Sequence, residues 1–230
     1  MTDGTEAANL QRWARTAGLL YLLTNATAVV MVWARGQVIV KGDAAATAAN
    51  IFASERVFRI GIAFELATVA GVVALIVALY AVLRKVNREL ALMAAFWRLM
   101  ETATFATITI SSFTVLALLG TDDYLGTVAA DQRAALAYSF LRIHNAGLQV
   151  GFLFLGLGST MFAWLWWRSR YVPRMLAGLG IVASLIMTVS ALTYIIVPPV
   201  MQTVGPAYMA PMGLFEIGLG LWLLVRGIRT

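Results

Sequence analysis

Six stretches of the chain stay apolar over about 20 residues, the length that crosses the hydrocarbon core of a bilayer. They are Ala14–Ala34, Val57–Leu83, Leu90–Leu119, Leu141–Trp167, Met175–Val197 and Tyr208–Val225. The pattern predicts an all-α fold, a polytopic six-helix transmembrane bundle forming one integral membrane domain over residues 1–230. Arg12 and Arg15 ahead of the first run, with Ala26-Thr27-Ala28 inside it, have the outline of a secretory signal peptide. The run continues through Val29, Val30, Met31, Val32 and Trp33, so the expectation is an uncut anchor.

Two connections carry structure of their own. Gly42-Asp43 ahead of Ala44–Ala49 sets a good N-cap before strong helix formers. Ile51, Phe52, Val57 and Phe58 give the segment an apolar edge, and Glu55 can pair with Arg59 one turn on. A short outer interfacial helix is therefore expected over Asp43–Arg56, running into the second span. Asp122-Asp123-Tyr124 opens the other long connection, and Asp131–Phe140 is read as an outward extension of the fourth span.

Composition sharpens the class. Hydrophobic residues make up 61% of the chain and charged ones 12%, where a soluble domain is nearer half and a quarter. The prolines lie at span ends or in connections, so no helix is expected to break in mid-membrane. Trp13, Trp33, Trp164, Trp166, Trp167 and Trp222 also sit near span ends, as an interfacial aromatic belt requires. The absence of cysteine removes disulfides, thiolate metal sites and cysteine nucleophiles. A single histidine excludes enzymes built on several histidine ligands.

The formal charge of +6 points to nucleic acid only when basic residues cluster on a soluble face. Here they flank the spans and serve to orient them. Ten lie on the side of the termini: Arg12, Arg15, Arg84, Lys85, Arg88, Arg168, Arg170, Arg174, Arg226 and Arg229. Six lie opposite: Arg35, Lys41, Arg56, Arg59, Arg133 and Arg142. The bias places both termini in the cytoplasm.

Candidate chemistry rests on four ionisable residues inside the apolar runs: Glu65, Glu101, His144 and Glu216. A charge at the centre of hydrocarbon costs at least about 2.5–3.5 kcal/mol, so such residues usually face a protein interior and mark a working site. Glu65, His144 and Glu216 fall roughly 5–12 Å below the outer ends of their spans at about 1.5 Å per residue, with Glu101 nearer the midplane. From Glu101 a polar stripe runs through Thr104, Thr107 or Ile108, Ser111 and Thr114. Gly147, Gly151 and Gly158 follow His144 along its helix, and small residues let helices approach closely. Thr104, Ser111, Asn145 and Tyr194 are the candidate substrate-binding residues. Glu65 and Glu216 have no basic partner within one turn and are expected to face one shared acidic cavity. Each residue also has a structural alternative: Glu101 pairs with Arg98 at i,i+3, His144 is a satisfied core histidine, and the other two acids find partners on other helices.

Several local strings are familiar. The run Gly42–Ile51 with Ser54-Glu55 and Phe58-Arg59 resembles domain-of-unknown-function family 4386, bacterial multi-pass membrane proteins. So do Val86-Asn87-Arg88, Leu90-Ala91-Leu92, Arg98-Leu99, and His144 ahead of Gly151. Arg168-Ser169, Tyr171, Pro173-Arg174, and Glu216 before Leu221–Leu224 continue the likeness over nearly the whole chain. The resemblance implies a bacterial cytoplasmic membrane but supplies no activity. Many members are expected to carry a second histidine late in the fourth span, where Gly158-Ser159 stand here.

Two function classes follow from the acids. The first is an enzyme acting by acid–base chemistry on an apolar lipid- or isoprenoid-like substrate, as an isomerase, cyclase or hydrolase. A desolvated carboxyl keeps its proton and can donate it to an alkene, epoxide or carbonyl. The second is a proton-coupled carrier or binder of a small molecule. Three carboxylates and one histidine suffice for one metal ion but fall short of the usual di-iron set, and no metal or cofactor is expected. The expected partners are membrane lipids and an apolar small-molecule ligand; association with further copies of the chain stays open.

Overall fold

The computed structural model describes residues 2–120 and 128–229. The chain is all-α: α1 (Thr2–Val38), α2 (Ala44–Ala53), α3 (Glu55–Leu83), α4 (Arg88–Leu119), α5 (Ala130–Ser169), α6 (Arg174–Ile196), α7 (Pro198–Val204) and α8 (Ala210–Val225). A 3-10 turn, Gly205–Met209, leads into α8. Among the described residues six helices are long and apolar enough to cross a membrane, and each contains or closely matches one of the six apolar runs. The chain is a multi-pass membrane protein. The Asp122-Asp123-Tyr124 segment lies outside the described residues.

The short helix forms where expected but ends earlier. Asp43 caps α2, its side chain accepting from Ala46 N at 2.8 Å. Gly42 precedes it at φ +84, a left-handed position that glycine takes without strain. The break falls at Ser54, so Glu55 and Arg56 belong to α3, and Glu55 holds Arg59 at 2.6 Å as an exposed i,i+4 pair. Pro198 and Pro199 start α7, a helix not anticipated from the apolar pattern; proline is tolerated in a first turn because its missing N–H has no partner there.

The helices fall into two compact units. One comprises Met1–Asn25, Ala70–Ala103 and Gln149–Thr230; the other comprises Ala26–Val69 and Thr104–Leu148. In the first unit the core is built on Leu75, Leu79, Leu83, Leu165, Trp166, Phe215, Leu219 and Leu223. Trp166 is fully buried there, so it is a core residue and not part of an interfacial belt. Gln11 of α1 ties down the chain after α8: its amide donates to Ile228 O at 2.6 Å and accepts from Ile228 N at 3.0 Å. In the second unit a smaller core of Val38, Ile51, Phe58, Ile62, Val115, Ala137 and Leu141 joins α2 to the longer helices.

Candidate functional site

The second unit buries an ionic cluster drawn from four helices. α1 contributes Arg35, α3 Glu65, α4 Ser112 and α5 His144. Arg35 Nη2 stands 2.7 Å from Glu65 Oε2, 2.9 Å from Ser112 Oγ and 2.9 Å from His144 Nε2. The same Nε2 is 2.7 Å from Glu65 Oε1. Glu65 is 3% exposed and His144 1%. Close helix approach makes room for this. At Gly147, one turn beyond His144, an added Cβ would lie 2.3 Å from Ile108 Cγ2 of α4.

Counting hydrogens assigns the contacts. A guanidinium Nη carries two hydrogens, so Nη2 of Arg35 satisfies two of its three neighbours. The carboxylate and the hydroxyl can only accept from it in this arrangement, and Nε2 is the one neighbour that has another partner. With Nη2 donating to Glu65 Oε2 and Ser112 Oγ, His144 carries its proton on Nε2 and donates to Glu65 Oε1. In a neutral ring, a carboxylate that fixes one nitrogen as donor leaves the other as a base. That other nitrogen, Nδ1, is buried and has no hydrogen-bond partner; Arg35 Nε is in the same condition.

The first unit holds a separate cluster. Arg98 and Glu101 of α4, 3% and 2% exposed, form the i,i+3 ion pair at 3.0 Å. Arg98 Nη1 also donates to Ser159 Oγ of α5 at 3.2 Å. At the neighbouring Gly158 an added Cβ would lie 2.8 Å from Arg98 Cγ and 2.9 Å from Ala94 O, so glycine is what lets α5 pass so close to the guanidinium stem. Glu216 of α8 is partly buried and accepts from Asn25 Nδ2 of α1 at 3.1 Å, while that nitrogen also donates to Tyr21 O at 2.9 Å. Arg98, Glu101, Glu216 and Tyr21 lie within electrostatic reach of one another.

Of the four ionisable residues picked out from sequence, Glu65 and His144 are in direct contact, and Glu101 and Glu216 belong to the other unit. The two pairs have different partners. Ser112, fully buried, holds the place on α4 that the polar stripe gave to Ser111; Thr104 and Ser111 are partly buried. Asn145 is exposed. Tyr194 is partly buried in the first unit within electrostatic reach of Tyr208, whose hydroxyl meets Gln149 Oε1 at 3.1 Å. Arg35 and Asn25 were missed. In sequence Arg35 reads as a flanking charge, although α1 continues three residues past it to Val38. Among the described residues no three His, Cys, Asp or Glu side chains come together as a metal site.

A family model described as a domain of unknown function, DUF4386, matches residues 16–227. No curated protein and no solved structure matches the chain.

Proposed function

The chain belongs to domain-of-unknown-function family 4386, and we propose that this member is an intramembrane acid–base enzyme acting on an apolar lipid- or isoprenoid-like substrate. The observation that supports it is the orphaned Nδ1 of His144, backed on the far side of the ring by Glu65 and Arg35. In this reading Nδ1 removes a proton from the substrate. Glu65 balances the imidazolium, and Arg35 with Ser112 holds Glu65 in place. The ring then gives a proton, exchanged with water while the ring holds it, to another atom of the substrate, so an isomerisation balances without a further co-reactant. Glu65 is then a positioning residue, and His144 is the catalytic one.

A proton-coupled carrier is the second reading, favoured by the double contact at Nε2. A proton taken up by Glu65 would cancel the charge that holds Arg35, and acid–histidine chains of this kind serve as relays in transporters. For either activity we place the protein in a bacterial cytoplasmic membrane with both termini inside. Arg35, buried beside Glu65, leaves the outer count, so ten basic residues stand against five.

The test is to incubate the purified protein with a total apolar extract of bacterial membranes in deuterated water. The enzyme reading expects solvent deuterium in one extract component with the wild type and none with His144→Gln. Equal labelling in both rejects it. Proton flux in sealed vesicles on adding extract fractions, absent in Glu65→Gln, indicates the carrier instead.

A further inference from the structure

Two short segments of the first unit carry five arginines. Arg168, Arg170 and Arg174 lie in and beside the turn between α5 and α6, and Arg226 and Arg229 in the chain after α8. The fold ties the two segments together. Past α8 the backbone reverses at Gly227, at φ +67, where an added Cβ would collide with Gln11 Oε1. Ile228 is then buried with its backbone held by the Gln11 amide, and Arg229 N donates to Tyr171 O, within the turn, at 2.9 Å. Arg174 lies over the Trp167 ring at 5.8 Å and Arg229 over the Trp222 ring at 5.3 Å. A guanidinium stacked on a ring keeps its N–H edge available to an anion. All five arginines are exposed, and none pairs with a carboxylate among the described residues; Glu6 of the same unit is taken by Lys85.

Arg170 also has an unusual backbone. It stands just past the end of α5 at φ +58, a left-handed position where helix ends usually carry glycine. The chain after α8 follows that habit with Gly227. Among the described residues Arg170 alone takes such a position with another side chain, and an outlier of this kind points to a use for that side chain.

From this juxtaposition we propose that the α5–α6 turn and the chain after α8 together bind the phosphate of an anionic phospholipid headgroup. Arginine edges match phosphate oxygens two at a time. The helices set the level. Only residues 170–173 separate two membrane-crossing helices, so the turn stays close to the bilayer surface. Trp167 and Trp222 lie at the same helix ends, and their amphipathic rings suit the headgroup layer. Lipid phosphates fill that layer around the whole bundle. The site lies within the first unit and is independent of the His144 reading.

The experiment titrates the full-length protein, in an uncharged detergent, with phosphatidylglycerol, phosphatidylcholine or glycerol phosphate, and native mass spectrometry counts the bound molecules. Phosphatidylglycerol is expected to bind more tightly than the other two. An arginine at the membrane surface changes affinity about fivefold, so Arg170→Gln/Arg174→Gln/Arg229→Gln is expected to weaken binding about a hundredfold. A control of equal charge in the second unit, Lys41→Gln/Arg56→Gln/Arg142→Gln, is expected to leave it unchanged. Arg170→Gly separates binding from folding, because it removes one guanidinium and supplies the residue that φ +58 favours. It should bind about fivefold more weakly yet melt no lower than wild type in detergent alone. The proposal is overturned if phosphatidylcholine or glycerol phosphate binds as tightly as phosphatidylglycerol, if the two triple variants lose affinity alike, or if Arg170→Gly binds as the wild type does.

Discussion

Arg35 Nη2 meets Glu65 Oε2 at 2.7 Å, with 13% and 3% of the two side chains exposed. Removing one member of a buried pair strands the other charge, at about 3–5 kcal/mol. Arg35→Met is therefore expected to lower the melting temperature by about 6–20 °C. Adding Glu65→Gln removes the stranded charge and keeps an acceptor for His144, so the double variant should recover most of the loss. Strictly additive losses in melting experiments would show that the two residues do not act as a pair.

The single histidine makes its ring nitrogens directly readable. The base reading requires nitrogen-15 NMR of histidine-labelled protein to show the hydrogen on Nε2 and a bare Nδ1. In Glu65→Gln the amide can donate as well as accept, and a mixture of tautomers is expected. A wild-type signal from the Nδ1–H tautomer would reverse the assignment and remove the base from the proposed mechanism.

Gly158 and Ser159 test the passage of α5 over Arg98. An alanine Cβ at position 158 would stand 2.8 Å from Arg98 Cγ and 2.9 Å from backbone oxygen of Ala94, and backbone cannot swing aside. Gly158→Ala should destabilise by about 1–3 kcal/mol through overpacking. Ser159→Ala, which removes one hydrogen bond to the guanidinium, should cost about 1.5–3 kcal/mol, since its partner is charged. Chemical denaturation in detergent measures both. A neutral Gly158→Ala would mean that α4 and α5 separate here at little cost.

Orientation is tested with reporters. A fusion at the C-terminus and one inserted within residues 122–131 should lie on opposite sides, the first cytoplasmic. Both reporters on one side would overturn the assignment drawn from the basic residues.

The long elements were legible because an apolar run has a length, and length is what a membrane selects. The cap at Asp43 was legible because its chemistry is local: a carboxylate three residues before the amide it accepts from. Facing was not. Beyond Glu101, α4 carries weakly polar threonines and serines around most of its circumference, so its buried stripe there has no strong contrast with its other sides. Eleven residues make about three turns, which brings Ser112 within roughly 20° of Glu101, whereas Ser111 is roughly 80° off. Stepping along Thr104, Thr107 and Ser111 accumulates that drift. Arg35 was illegible for a different reason: its long side chain turns inward, and nothing in the local sequence distinguishes that from reaching toward an aqueous flank. The i,i+3 pairing of Arg98 and Glu101, by contrast, could be read directly from their spacing.

The division of the chain also has a temporal side. Every residue of the Arg35–Glu65–Ser112–His144 cluster has been synthesised by position 148, the last of its unit. The other unit waits for α8, and the amide grip of Gln11 on Ile228 joins positions 217 apart in the sequence. A chain emerging from the ribosome can thus neutralise Glu65 while Glu216 does not yet exist. Glu101 is meanwhile matched by Arg98, its neighbour one turn away. Buried charge is matched in the order in which it is made.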